Sequence, residues 1–218
     1  SKNQLYESIL SKAEHDHPTL LKDSLSYKMH AGFINALNKL DLRANTSLDK
    51  LIVRYKQIFS EKANFKPYIQ DSHDQSLMEA IRIYTNDNLS TNKLRYEDAS
   101  ALVYLYLKSN GYNDYRHIKH VVVDEAQDYY PLHFEILKLM FPSAQFTILG
   151  DINQTIEKHE KLSFYDAIKD ILSKNKATFV SMDKSFRCAQ EILEFSARFV
   201  DTKLLSYSRH CEVPQIIK

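Results

Sequence analysis

Glycine is scarce: only Gly32, Gly111 and Gly150 occur in 218 residues, against an average usage of about 7%. They stand far apart and none is followed by Lys, so no glycine-rich loop of the kind that wraps phosphates is present. Cysteine is equally sparse. Cys188 and Cys211 form no CxxC pair, which excludes a disulfide scaffold and a thiolate zinc site and suits a reducing, cytoplasmic setting. Charge of one sign is lacking too: 29 Lys and Arg against 28 Asp and Glu leave a formal +1. Any contact with nucleic acid must therefore come from a local patch. No apolar run approaches the roughly 20 residues of a membrane span, and Ser1-Lys2-Asn3-Gln4 lacks the apolar core of a secretion signal. The expected location is the cytoplasm, away from membranes. The chain begins without Met, which points to an excerpt of a longer protein.

What is present suffices for a core, since 44% of the residues are hydrophobic. Up to about residue 114 the apolar residues recur at helical spacing. Met29, Phe33, Leu37 and Leu40 share one face, and Leu48, Leu51, Ile52, Tyr55 and Phe59 share another. Further helices are expected from about Gln75 to Tyr84 and from Tyr96 to Lys108, the latter stopped by Asn110-Gly111.

From residue 115 the pattern changes to short β-branched runs separated by helical ones. Strands are expected at Ile118 to Val123, Phe146 to Leu149 and Ala177 to Met182. Helices are expected at Pro131 to Phe141, Tyr165 to Leu172 and Cys188 to Val200. Alternation of this kind predicts an α/β fold with a parallel sheet, and ligands in such sheets bind at the carboxyl ends of the strands.

The first of those ends reads Val121-Val122-Val123-Asp124-Glu125-Ala126-Gln127-Asp128. An apolar strand that delivers adjacent carboxylates supplies one to hold magnesium and one to take a proton from water, the division of labour that nucleotide hydrolysis uses. An acidic turn after a strand is also an ordinary structural feature. The next run ends Gly150-Asp151-Ile152-Asn153-Gln154, with an amide able to orient water. The third leads to Ser185-Phe186-Arg187-Cys188, an aromatic face beside a guanidinium.

These three segments, in this order, resemble the second, third and fourth motifs of superfamily 1 helicases of the UvrD/Rep group. The resemblance covers about residues 96 to 200. It implies a RecA-like motor half, ATP and Mg2+ as cofactors, and DNA as partner. It also implies that Asp124 binds magnesium and Glu125 is the general base. Gln154 would contact the terminal phosphate, Phe186 would stack on adenine and Arg187 would act as a finger. The context Leu94-Arg95-Tyr96-Glu97-Asp98-Ala99 looks most similar to HelD-type helicases, which associate with bacterial RNA polymerase.

Two departures qualify the resemblance. The P-loop, Gly-x-x-x-x-Gly-Lys-Ser/Thr, is absent from the sequence, so this stretch alone is expected neither to hydrolyse ATP nor to bind it tightly. After the third motif, Thr155-Ile156-Glu157-Lys158-His159-Glu160 offers acids where UvrD-like translocases carry base-stacking aromatics, which weakens unwinding and favours remodelling of a protein complex. The expected organisation is a helical region at 1–114, the RecA-like part at 115–184 and the start of a second motor domain at 185–218. The rival reading is a non-catalytic module, derived from a helicase, that docks on RNA polymerase. His15-Asp16-His17 and His117-x-x-His120 lack the further ligands of a closed metal site. Tyr129-Tyr130 is expected to pack at a helix start. Lys62, Phe65, Lys66 and Tyr68 read as a solvated basic-aromatic loop.

Overall fold

The computed structural model describes residues 20–42, 44–69, 73–151, 162–172, 176–182, 184–199, 205–206 and 209–215. The first part is helical: α1 Leu20–Met29, α2 Ala31–Leu37, α3 Leu48–Ser60, α4 Lys62–Phe65, a 3-10 turn Lys66–Tyr68, α5 Gln75–Ser90 and α6 Tyr96–Asn110. The face shared by Met29, Phe33 and Leu37 is buried as expected, but two helices supply it. The chain turns extended at His30 (φ −95°, ψ 160°) between them. At α5 the Asp74 carboxylate caps the helix, accepting from the amides of Ser76 and Leu77. α6 carries Glu97 and Asp98 in its first turn and stops at Gly111, whose φ of 71° closes the last turn.

These helices enclose one large core. Phe33, Leu37, Leu51, Tyr55, Phe59, Phe65 and Ile81 are wholly buried, with Phe59 and Phe65 rings 5.2 Å apart. Phe65 therefore belongs to the core, and the Tyr68 carbonyl accepts from the buried Tyr27 hydroxyl. The aromatic members of the expected loop cluster are packing residues.

Inside this core sits a polar knot. Lys28 is fully buried, and its Nζ lies 2.6 Å from both Asp98 Oδ1 and Thr85 Oγ1. The Tyr55 hydroxyl donates to the same Asp98 oxygen at 2.8 Å, and Ser24 donates to buried Glu97 at 3.2 Å. Desolvation lowers the Lys28 pKa against the pull of Asp98. The knot fastens α1, α3, α5 and α6 to one another.

The α/β part follows: β1 His120–Val123, a 3-10 turn Ala126–Asp128, α7 Pro131–Met140, β2 Gln145–Ile148 and α8 Leu162–Leu172. The two strands pair in parallel, from His120↔Gln145 to Val123↔Ile148, with α7 as the crossover. Phe134 of α7 packs with Val123, Ala126, Phe164 and Ile168 in a second, smaller core. Leu132 of the same helix and Tyr130 before it belong to the helical core. One helix thus clamps the β1 strand to the helical region.

Two expectations require correction. Residues 176–182 are irregular rather than a strand, with Phe179, Val180 and Met182 exposed. An apolar run becomes a strand only where a neighbour offers a hydrogen-bond ladder, and among the described residues none pairs with it. The expected helix from Cys188 to Val200 is shorter, α9 Gln190–Ser196, beside a two-residue parallel pair, β3 Lys184–Ser185 with β4 Leu205–Ser206. Among the described residues no helix is long and apolar enough to cross a membrane.

Candidate functional site

The site forms where β1 and β2 end side by side. The ladder runs past both strands: the Leu149 amide donates to the Val123 carbonyl at 2.8 Å, and the Ala126 amide donates to the Leu149 carbonyl at 2.9 Å. Between these bonds the chain bulges outward and presents Asp124 and Glu125, both exposed. Glu125 takes the left-handed conformation, φ 50° and ψ 45°, a costly state for a side-chain-bearing residue. Local bonds hold it there. Asp124 Oδ1 accepts from the Glu125 amide at 2.9 Å, and the Glu125 carbonyl accepts from the Asp128 amide at 2.9 Å.

Gln127 is buried beneath the bulge. Its Nε2 donates to Glu125 Oε2 at 2.6 Å, and its Oε1 accepts from the Asp151 amide at 3.0 Å. One carboxamide therefore joins the acidic turn to the Gly150-Asp151 turn. Gly150 is required by close approach. A Cβ there would stand 2.5 Å from the Tyr165 hydroxyl, 2.9 Å from Gln127 Oε1 and 3.3 Å from the Ala126 Cβ.

The structure brings Asp124 and Glu125 together with the Gly150-Asp151 turn. Gln154 lies outside the described residues. Phe186 and Arg187 lie in the bend after β3 and are exposed. The Arg187 carbonyl accepts from the Arg209 guanidinium at 3.0 Å, and the Ser185 hydroxyl accepts from the Cys188 amide at 3.1 Å. Among the described residues no hydrogen bond or ion pair joins Arg187 to Asp124 or Glu125. Sequence alone assigns Gln127 no role: its place two residues past Glu125 is the available signal, and the fold reveals the bridge.

The histidine pairs resolve simply. His120 Nε2 lies 2.8 Å from the Thr147 hydroxyl on the neighbouring strand, and His15-Asp16-His17 lies outside the described residues. His133 Nδ1 accepts from the Tyr130 amide at 2.9 Å, so its proton sits on Nε2, 2.8 Å from the Tyr96 hydroxyl. Tyr130 is buried at the start of α7 and Tyr129 packs edge-on against His133 and Phe134.

Among the described residues no group of three or more His, Cys, Asp or Glu side chains could cage a metal. Magnesium needs no such cage, since it keeps several waters and takes one or two carboxylates plus substrate phosphates. An exposed Asp124 carboxylate at a strand tip fits that requirement.

A parallel strand pair presenting carboxylates at its carboxyl end, braced by an adjoining glycine turn, is an α/β arrangement, and in parallel α/β sheets the strand tips are the usual place for ligands. The sequence profile of the UvrD/REP helicase N-terminal domain matches residues 1–179, and the chain belongs to that family. It is 29% identical over 141 residues to a probable DNA helicase II homolog of Mycoplasma capricolum, an alignment covering 61% of this chain and 19% of that protein. It is 26% identical over 172 residues to the mitochondrial ATP-dependent DNA helicase HMI1 of Saccharomyces cerevisiae, covering 74% of this chain and 22% of that protein. The chain thus spans about a fifth of the length of these relatives.

Proposed function

We propose that this chain is part of an ATP-dependent superfamily 1 DNA helicase or translocase that works in the cytoplasm. In this reading residues 1–114 are a helical region inserted in the motor, 115–184 belong to a RecA-like half, and 185–218 open a second motor domain. The observation that carries it is the strand tip itself: Asp124 and Glu125 face solvent while Gln127 and Gly150 brace them from behind.

Asp124 would hold Mg2+ and Glu125 would take the proton of the attacking water. Neutralising phosphate charge is what the ion supplies when bound. By likeness to the family, Gln154 would contact the terminal phosphate, Phe186 would stack on the base and Arg187 would stabilise charge on the transferred group. The phosphate-cradling loop would come from chain outside this sequence. Closure of the two motor halves on ATP would then drive movement along DNA.

In the HelD-like segment Leu94 to Ala99, Glu97 and Asp98 are buried and bind Ser24 and Lys28, so these acids hold the helical core together; a polymerase-docking reading would rest on its exposed Leu94, Arg95 and Tyr96.

The test is Glu125→Gln in the full-length protein, assayed for ATP hydrolysis and nucleotide binding. Loss of turnover with binding retained is expected, because the base is removed and the phosphate contacts are not. Unchanged turnover sinks the assignment. Capture of RNA polymerase by a full-length protein that shows no DNA-dependent ATPase would favour the docking reading.

A further inference from the structure

Gln127 is the buried member of a turn whose acids are all exposed: it is 4% accessible, whereas Asp124, Glu125 and Asp128 face solvent. A buried carboxamide must satisfy a donor end and an acceptor end. Its partners fix which end is which. The Asp151 amide can only donate, so Oε1 faces it, and Nε2 is left facing Glu125 Oε2. The donor pins one oxygen of the carboxylate. Among the described residues Glu125 Oε1 takes no hydrogen bond, which leaves that oxygen for a water.

We infer that Gln127 is a positioning residue that couples the third-motif turn to the general base. It fixes which oxygen of Glu125 meets the attacking water, and it ties that orientation to the place of Asp151, three residues before Gln154. The Gly150-Asp151 turn thus meets the carboxylate of the base through the Gln127 side chain, whose Oε1 lies 2.9 Å from where a Cβ on residue 150 would stand. This rests on the motor reading above, in which Glu125 is the base.

The experiment uses the full-length protein with single-stranded DNA present. ATP turnover is measured across ATP concentrations, to separate kcat from KM, for Gln127→Met, Gln127→Glu and Glu125→Gln. Methionine keeps the length and loses both hydrogen bonds. Glutamate keeps an acceptor for the Asp151 amide but sets a second carboxylate against Glu125. For Gln127→Met, kcat is expected to fall roughly 10- to 100-fold, the usual effect of losing a residue that orients a reacting group. KM for ATP is expected to stay within about twofold, since nucleotide contacts are untouched. For Gln127→Glu, which can accept from the Asp151 amide but cannot donate to the Glu125 carboxylate, kcat is expected to fall at least as far as for Gln127→Met. A residue that merely tied the turn would cost stability in Gln127→Met without lowering the kcat of the folded protein. Wild-type kcat in folded Gln127→Met or in folded Gln127→Glu overturns the inference. Should Gln127→Met not fold, the kcat of Gln127→Glu decides alone. Wild-type turnover in Glu125→Gln identifies the motor reading as the failure; loss there beside unchanged Gln127 variants rejects this inference only.

Discussion

The Tyr165 hydroxyl lies 2.5 Å from where a Cβ on Gly150 would stand, so α8 presses its aromatic ring onto the turn that braces the acidic strand tip. Gly150 is thereby a contact residue: its backbone occupies space that any side chain would take from Tyr165, Gln127 and Ala126.

Gly150→Ala should destabilise the fold by about 1–3 kcal/mol, the usual cost of overpacking a close-fitted site. Tyr165→Phe removes the nearest clashing atom, so the double variant should recover part of that loss. Urea denaturation of the four proteins measures both effects. Equal stability of Gly150→Ala and the unmodified protein would mean that the turn yields freely.

The left-handed backbone of Glu125 makes a second, independent prediction. Glycine is ordinarily less stable than alanine in structured backbone, but at positive φ the order inverts, because the Cβ is what the conformation penalises. Glu125→Gly should therefore be more stable than Glu125→Ala by about 1 kcal/mol, with both variants inactive. Thermal or chemical unfolding decides the order, and a more stable alanine variant would show that the strand tip does not hold that conformation.

These relationships explain which parts of the molecule the sequence discloses. The end of α6 is readable, since Asn110-Gly111 names a conformation that glycine supplies locally. The carboxylates at the β1 tip are readable because an apolar run followed by acids has a period and a direction. The irregular course of 176–182 is hidden, because an apolar run carries no record of whether a ladder partner lies beside it. The Gln127 bridge spans 24 residues and the Lys28–Asp98 pair spans 70. Neither leaves a local pattern: Lys28 reads as a surface lysine until four helices close over it.

That buried pair predicts an asymmetry between removing one partner and removing the group. Lys28→Met leaves a buried Asp98 carboxylate with the Tyr55 hydroxyl as its remaining side-chain donor and should cost about 3–5 kcal/mol. Asp98 Oδ2 already lacks a hydrogen-bond partner, so the ionic arrangement is incompletely compensated. The apolar triple replacement Lys28→Met, Tyr55→Phe, Asp98→Leu should recover most of the loss. Chemical denaturation at neutral pH compares them, and a triple variant no more stable than Lys28→Met would show that the pair contributes more than its own compensation.

In the 184–215 segment, Glu191 supplies the pH-dependent tie. Its Oε2 accepts from the Cys211 amide at 2.8 Å and its Oε1 lies 3.0 Å from His210 Nδ1. The Cys211 amide first, then the residue's own amide and His210, hold its pKa down to about 2, against an ordinary 4.5. A carboxylate whose folded pKa lies below its unfolded value contributes stability that is present above the unfolded pKa and is lost as pH falls through the folded one. The tie between α9 and Cys211 is therefore complete above about pH 4.5 and weakens progressively down to about pH 2. An NMR titration of the Cys211 amide should show its midpoint near the lower end of that range, and Glu191→Gln should abolish the transition while leaving the amide insensitive to acid. A midpoint near 4.5 would mean that Glu191 does not receive those hydrogen bonds in solution.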